Sequence, residues 1–572
     1  MSAQAHPTQG PNRNIGRRME QQAALRPDQR AVVCHDGRGP DGRVKWAALS
    51  FAELNALTDR YARGLVAQGV GPGDRVSLLI KPSLRFIPLV FAVFKVGAVP
   101  VLIDPGMGRA GFLRCVASMQ PTALIGEPVA VLLSRLFPSA FGSVRLRVTV
   151  GSWPGLGWGL PAHQLEREGA APFLAVHREN SDEAAILFTS GSTGPAKGVT
   201  YTHGIFNAQT DAIQQMYGIE AGEVDLACFP MFGLFTMAMG CTVVIPDMDP
   251  SKPGQAEPAK LVEAITDQAC TSAFGSPAIW RRLAEHGRAT GLRLPTLRRI
   301  LMAGAPIPVW MHEAFQQIFD GKAELHTPYG ATESLPVSSI GSHEVLGETA
   351  ALTRSGAGTC VGRPAPGATV RVIRITDAPI PTYSDDLLLP DGEIGELLIE
   401  GAVVTPEYKG DADHTARAKI WRGDTVLHRI GDLGYIDPKG RVWFCGRKSH
   451  RVVAADGALL TSEPIEGIFN EHPDVLRTAL VGLGPTPGLV VELQPGRVAA
   501  GKGPAAAAAL VAGLQRLAAG HPLAQRIDHF WIHPSFPVDV RHNAKIDRSA
   551  LAAWAATVPP LRGAPSPVAS RE

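Results

Sequence analysis

Residues 186–199 read ILFTSGSTGPAKGV, and the fold follows from how this stretch is parsed. The apolar run Ala184–Phe188 reads as a buried strand that feeds a loop. In that loop Thr189, Ser190, Ser192 and Thr193 stand among Gly191, Gly194 and Gly198, with Lys197 near its end. Glycines admit positive φ and let successive backbone N–H groups turn toward one point. Such a concave set of donors binds anions, and hydroxyls plus a lysine favour phosphate over other anions. A flexible Gly/Ser surface loop is the competing reading, and the ordered motif argues against it. A P-loop would need G-x-x-x-x-G-K-[ST], but here Ala196 precedes the lysine and Gly198 follows it. The glycine spacing also fails the dinucleotide pattern G-x-G-x-x-G.

Working outward, a chain of 572 residues exceeds the size at which one core stops growing, so several domains or subdomains are expected. Hydrophobic residues at 45% and charged residues at 19% give a globular balance. A net charge of +2, without a basic run interleaved with aromatics, excludes nucleic acid as the partner. The seven cysteines, at 34, 115, 228, 241, 270, 360 and 445, contain no C-x-x-C pair. They are expected to be reduced, mostly buried thiols of a cytoplasmic protein. The polar start MSAQAHPTQGPNRN lacks the apolar core of a signal peptide.

Two apolar stretches imitate membrane spans. Phe86–Ile103 is interrupted by Lys95, Gly97 and two prolines, and splits into a buried helix and a strand. The uncharged stretch Leu226–Ile245 contains Pro230, Gly233 and Gly240 and ends in TVVI, so it reads as loop, buried helix and strand. No transmembrane segment is expected.

Along the chain, residues 1–13 are expected to be disordered, 14–26 has helical spacing, and a strand starts at Ala31. Ser50–Gly69 is an amphipathic helix, with Ser50 as N-cap, Glu53 three residues later and Gly69 at the end. Strands then alternate with helices as far as Met302, which predicts an α/β fold with mainly parallel sheets. After about Gly356 short runs such as VRVIRIT, GELLIEG and RVWFCG predict a small β subdomain. From about Ser449 a compact α+β region follows.

Four further motifs carry chemistry. Leu301–Ile307, LMAGAPI, is a strand running into a turn at Gly304, Ala305 and Pro306. Taken alone it is no more than a strand end. Tyr329-Gly330-Ala331-Thr332-Glu333 offers an aromatic face for a planar base, then a hydroxyl and a carboxylate suited to phosphate and Mg²⁺. Asp432, in HRIGDLGYID, suits a ribose diol, and Arg447, in CGRKSHRVV, adds a polar contact. Lys545 lies in FPVDVRHNAKIDR.

With these motifs in this order, the chain resembles the adenylate-forming superfamily of acyl-CoA synthetases, luciferases and adenylation domains. The resemblance runs from about Asn14 to Ala556. It implies a large N-terminal domain over 14–448, a small mobile C-terminal lid over 449–556 hinged at Ser449, and a loose tail over 557–572. The family more often has Asp or Lys at the hinge.

The resemblance also implies ATP and Mg²⁺ as cofactors. Thr189–Gly194, Lys197, Gly304–Pro306, Tyr329–Thr332, Asp432, Arg447 and Lys545 would bind the nucleotide. Glu333 and Thr189 would hold the metal, and Lys545, Thr332 and Glu333 would be catalytic. A lysine delivered from a mobile domain can stabilise the charge that develops when a carboxylate attacks the α-phosphorus. Asn543-Ala544 replaces the usual glycine approach to that lysine.

Acyl-CoA synthetases often carry a histidine within the stretch matching FPMFGLF, where Gly233 stands here. Together with GRKSHRVV, this looks like the β-lactone synthetases of bacterial long-chain olefin biosynthesis. The implied substrate is a long-chain 2-alkyl-3-hydroxy acid, adenylated and then closed on its own 3-hydroxyl. Possible partners are a condensing enzyme, a reductase and a decarboxylating lactone hydrolase. A long-chain acyl-CoA or acyl-AMP ligase is the alternative, and a catalytically silent adenylate-binding protein ranks below both. His203, in YTHG, is a candidate acceptor for the hydroxyl proton, although a structural hydrogen bond is the more common role of such a histidine. The 226–245 stretch and Ser272–Trp280 are the expected acyl tunnel.

Overall fold

In the computed structural model, residues 10–151, 159–188, 196–321, 323–497, 503–538 and 546–561 are described. The predicted helix after Ser50 forms as Phe51–Ala67, closed by a reciprocal cap between Ser50 and Glu53. Such a cap contributes about 1 kcal/mol by satisfying two otherwise orphaned N–H groups. The helix packs beside Phe86–Lys95, all ten residues of which are buried. Lys95, the charge that broke the apparent membrane span, is buried with them. Its ammonium reaches Asp59 at 2.5 Å, Asn55 at 2.9 Å and the Phe173 carbonyl at 3.0 Å. A buried lysine is tolerated only with partners of this kind. The second stretch divides into the strand Val224–Ala227, the helix Pro230–Ala238 and the strand Thr242–Ile245. Among the described residues no helix is long and apolar enough to cross a membrane.

A seven-stranded sheet, parallel apart from one pair, ends on the antiparallel strands Glu183–Phe188 and Gly198–Thr202, which flank the phosphate-loop motif. A fourteen-stranded sheet carries most of the other motifs. Its parallel half includes Val224–Ala227, Ser272–Gly275, Arg299–Met302 and Glu324–Ala331. The β-rich region expected as a small subdomain of the large domain is continuous with this sheet, because Ser338 pairs with Pro364 and Ser339 with Arg363. This join was not foreseen: the antiparallel strand Ser334–Gly341 serves both halves.

The C-terminal region has its own three-stranded sheet, Val475–Leu483, Thr486–Leu493 and His529–Ile532, and its own apolar core. Helix Ser462–Phe469 ties it together, since Glu466 accepts two bonds from Arg548 at 2.9 and 2.6 Å. Thr359 in the large sheet donates to Glu463 at 2.8 Å. The expected disordered start lies mostly outside the described residues, but Asn12 bonds the Ala175 carbonyl and Arg13 that of Arg178. At the other end, Leu561 bonds back to the Phe530 carbonyl. All seven cysteines are free and buried.

Candidate active site

The strands Glu324–Ala331 and Ser334–Gly341 form a hairpin with Thr332 and Glu333 at its tip. Three elements hold that tip. Tyr201 donates to the Thr332 carbonyl at 2.6 Å. The Thr405 N–H and hydroxyl both donate to the Glu333 carbonyl, at 2.9 and 3.0 Å. The Tyr408 hydroxyl donates to Oε1 of Glu333 at 2.7 Å, which orients the carboxylate.

Tyr408 also connects this tip to the phosphate-loop motif. Lys197 Nζ lies 5.2 Å from the centre of its ring, and Val199 bridges to Tyr408 across the backbone. Thr189, Ser190, Gly191, Ser192, Thr193 and Gly194 lie outside the described residues, as does Lys545.

Asp432 and Arg447 come from a second hairpin, Thr425–Ile436 with Val442–Arg447, where they are direct cross-strand partners. They form an ion pair at 3.0 Å. Tyr329 donates its hydroxyl to Asp432 Oδ2 at 2.5 Å and packs its ring toward Phe444. Burial, then the Asp432 charge, raise its pKa well above the ordinary value. Reading the sequence supplied the ring face of Tyr329 but not this bond to Asp432.

Gly304, at φ +114°, turns the chain out of the strand Arg299–Met302. The parallel register pairs Leu301 with His326, so Gly304–Pro306 emerge level with Tyr329. Lys197, Gly304–Pro306, Tyr329–Glu333, Asp432 and Arg447 therefore meet at one end of the large sheet. Glu333 supplies hard oxygen donors of the type Mg²⁺ takes alongside substrate phosphates. Among the described residues no cluster of three or more His, Cys, Asp or Glu side chains could hold a metal unaided.

Residues 19–409 match the AMP-binding enzyme family. The chain belongs to that family. It is 44% identical over 555 residues to the olefin beta-lactone synthetase of Xanthomonas campestris pv. campestris, covering 95% of this chain and 97% of that one. Identity to the olefin beta-lactone synthetase of Stenotrophomonas maltophilia is 45% over 559 residues, covering 95% and 98%. The amide bond synthetase of Marinactinospora thermotolerans shares the fold, with a TM-score of 0.75 at 24% identity over 95% of this chain and 99% of that one.

In this AMP-binding enzyme the helix Pro230–Ala238 lines an aromatic wall. Phe229, Phe232 and Phe235 lie in sequence with ring centres 5.7 and 5.9 Å apart, and Phe232 stacks on Phe274 at 3.7 Å. The expected tunnel segment Ser272–Trp280 is divided by the sheet. Phe274 joins the wall, but Trp280 is fully buried on the opposite face against Phe315. Gly233 faces the core, where an added Cβ would meet Val243 Cγ1 at 2.7 Å. A histidine side chain has no room there without moving the helix off the sheet.

His203, the candidate acceptor for the hydroxyl proton, packs edge-on against Phe94. It is fully buried, its Nδ1 accepts the Ile15 N–H at 3.2 Å, and burial lowers its pKa to about 4. That bond is the structural role such a histidine more commonly has, while its Nε2 is buried without a hydrogen-bond partner among the described residues.

Lys419 was missed. Its sequence context, AKIW, carries no functional signature, yet the structure buries it behind the Glu333 tip, where it donates to Thr405 Oγ1 at 3.2 Å. Burial lowers its pKa to about 7, only partly opposed by Glu333. In the unfolded chain the amine titrates near 10.5, so between pH 7 and 10.5 the unfolded state binds more protons and stability rises with pH. Lys419→Met is therefore expected to gain stability over the parent at pH 7, with the gain shrinking toward pH 10. Thermal unfolding of both proteins across that range checks it.

Proposed function

We propose that this enzyme adenylates a long-chain 2-alkyl-3-hydroxy acid with ATP and closes it to a β-lactone, releasing pyrophosphate and AMP, in long-chain olefin biosynthesis. The observation that carries this is the 44–45% identity, over nearly the whole chain, to two olefin beta-lactone synthetases. The meeting of Lys197, Glu333, Tyr329, Asp432 and Arg447 around one sheet end supports it.

In the first step the substrate carboxylate attacks the α-phosphorus and pyrophosphate leaves. The Thr189–Gly194 loop and Lys197 bind the phosphates, while Gly304–Pro306, Tyr329–Ala331, Asp432 and Arg447 hold the nucleoside. Thr332 contacts the α-phosphate, and Lys545 neutralises charge on the oxygens around phosphorus. Glu333 and Thr189 would hold Mg²⁺, which when bound offsets phosphate charge.

In the second step the 3-hydroxyl attacks the acyl carbon and AMP departs. Intramolecular attack needs no second substrate, and the aromatic wall holds the two alkyl arms so that the hydroxyl meets the carbonyl. The enzyme is assigned to the cytoplasm. It acts after enzymes that condense and reduce acyl chains and before one that decarboxylates the lactone.

A 2-alkyl acid lacking the 3-hydroxyl tests the division into two steps. It is expected to support ATP–pyrophosphate exchange but to stall as the acyl-adenylate, trapped by hydroxylamine. Steady AMP release from that analogue at the rate of the hydroxy acid would contradict it.

A further inference from the structure

The turn that carries Thr332 and Glu333 is gripped on both sides by one neighbouring segment. Tyr201 donates to the Thr332 carbonyl at 2.6 Å, and Gln209 Nε2 donates to the Leu335 carbonyl at 3.0 Å. The Gln209 amide also lies beside the Tyr201 hydroxyl. Gln209 stands on the helix His203–Tyr217, which touches both this turn and the aromatic wall. Residues three and four apart share a helix face, and the neighbours of Gln209 on its face are Phe206 and Ile213. The Phe206 ring lies 6.1 Å from that of Phe235, and Ile213 packs in the cluster of Phe232 and Phe274.

Gln209 is fully buried, and its Oε1 has no hydrogen-bond partner among the described residues. The Leu335 carbonyl can only accept, so it faces the amide nitrogen, and this fixes which way the amide is turned. Oε1 therefore points away from that carbonyl. A buried amide oxygen without a donor costs stability, and each such group in a native fold calls for an explanation. Phe206 and Ile213 offer it no donor, whereas a substrate hydroxyl does. In a 3-hydroxy acid poised for closure, the hydroxyl oxygen stands about 3–3.5 Å from the acyl carbon. With the carboxyl reacting at Thr332–Glu333, the hydroxyl is held at the same turn that Gln209 grips, two residues beyond Glu333.

We propose that Gln209 recognises the 3-hydroxyl of the acid, with Oε1 accepting the hydroxyl hydrogen. This rests on the functional reading above. Donation to Oε1 fixes the rotation of the hydroxyl and presents its lone pairs to the acyl carbon. It also supplies the buried amide with a donor, so an acid with the hydroxyl is preferred over one without it from the adenylating step onward. An amide oxygen is too weak a base to keep the proton. Gln209 therefore selects and orients the hydroxyl rather than deprotonating it.

The test measures ATP–pyrophosphate exchange by the parent and by Gln209→Leu, with a long-chain 2-alkyl-3-hydroxy acid and with its 3-deoxy counterpart. The parent is expected to favour the hydroxy acid by about tenfold in kcat/KM, and the variant to favour neither acid. Loss of the Leu335 bond is common to both acids and cancels in the ratio. A variant that keeps the parental preference, whatever its absolute activity, overturns the role. The parent alone gives a second readout. The 3-methoxy acid keeps the oxygen but cannot donate, and it should be no better a substrate than the deoxy acid. A parent that accepts all three acids alike, or the methoxy acid as well as the hydroxy acid, overturns the role. Lactone is measured in the same reactions. A parent that prefers the hydroxy acid but forms no lactone overturns the functional reading instead, and loss of the preference in the variant still decides Gln209.

Discussion

Lys545→Ala is expected to lower ATP–pyrophosphate exchange by about 10²-fold or more while leaving ATP binding nearly unchanged, since the lysine acts on charge that develops in the transition state. Lys545 itself lies outside the described residues, but the chain on either side of it is held. Val538 bridges to Ile546, and the Asp547 N–H bonds the Pro537 carbonyl at 2.9 Å. Arg548 is clamped on Glu466. Nearby, His450 feels Arg548, Arg447 and Asp547, and with burial as the leading cause its pKa falls to about 4. The described flanking residues Asp547 and Arg548 are thus within electrostatic reach of His450, as is Arg447 of the Asp432–Arg447 pair. Exchange kinetics beside an ATP titration check the prediction, and full exchange by the variant would remove Lys545 from the chemistry.

Glu333→Ala should raise the Mg²⁺ concentration needed for half-maximal adenylation by about tenfold or more, if the carboxylate is a metal ligand. The substitution also strips Tyr408 of its acceptor, so a fall in activity alone would be ambiguous. Glu333→Gln keeps an oxygen for the Tyr408 hydroxyl and removes the charge. Both variants are expected to show the shifted Mg²⁺ dependence, with the glutamine protein unfolding close to the parental temperature. Unchanged activity of either at limiting Mg²⁺ would argue against the metal role.

Much of the fold was legible because local signals were strong. The Ser50–Glu53 cap and the Gly and Pro breaks in 86–103 and 226–245 each correspond to an observed boundary. What was not legible depends on long-range pairing. The joining of the C-terminal β-rich strands to the large sheet rests on Ser338 and Ser339 meeting Pro364 and Arg363, a register with no local signature.

The site divides in the same way. Tyr329, Glu333, Asp432 and Arg447 stand in ordered motifs. Tyr408 and Lys419 reach the site only through the tertiary fold: Tyr408 bonds a carboxylate 75 positions away, and Lys419 a threonine 14 positions away. Trp280 shows the converse error. It shares a segment with Phe274, but the sheet sends the two rings to opposite cores.

The defining step of the proposed reaction is displacement of AMP by the acid's own hydroxyl. The most direct measurement is a product analysis with ATP, Mg²⁺ and a long-chain 2-alkyl-3-hydroxy acid, with and without CoA. One AMP and one β-lactone per acid consumed are expected, at a rate independent of CoA. Formation of a thioester only when CoA is supplied, with no lactone in its absence, would contradict it and make the protein an acyl-CoA ligase.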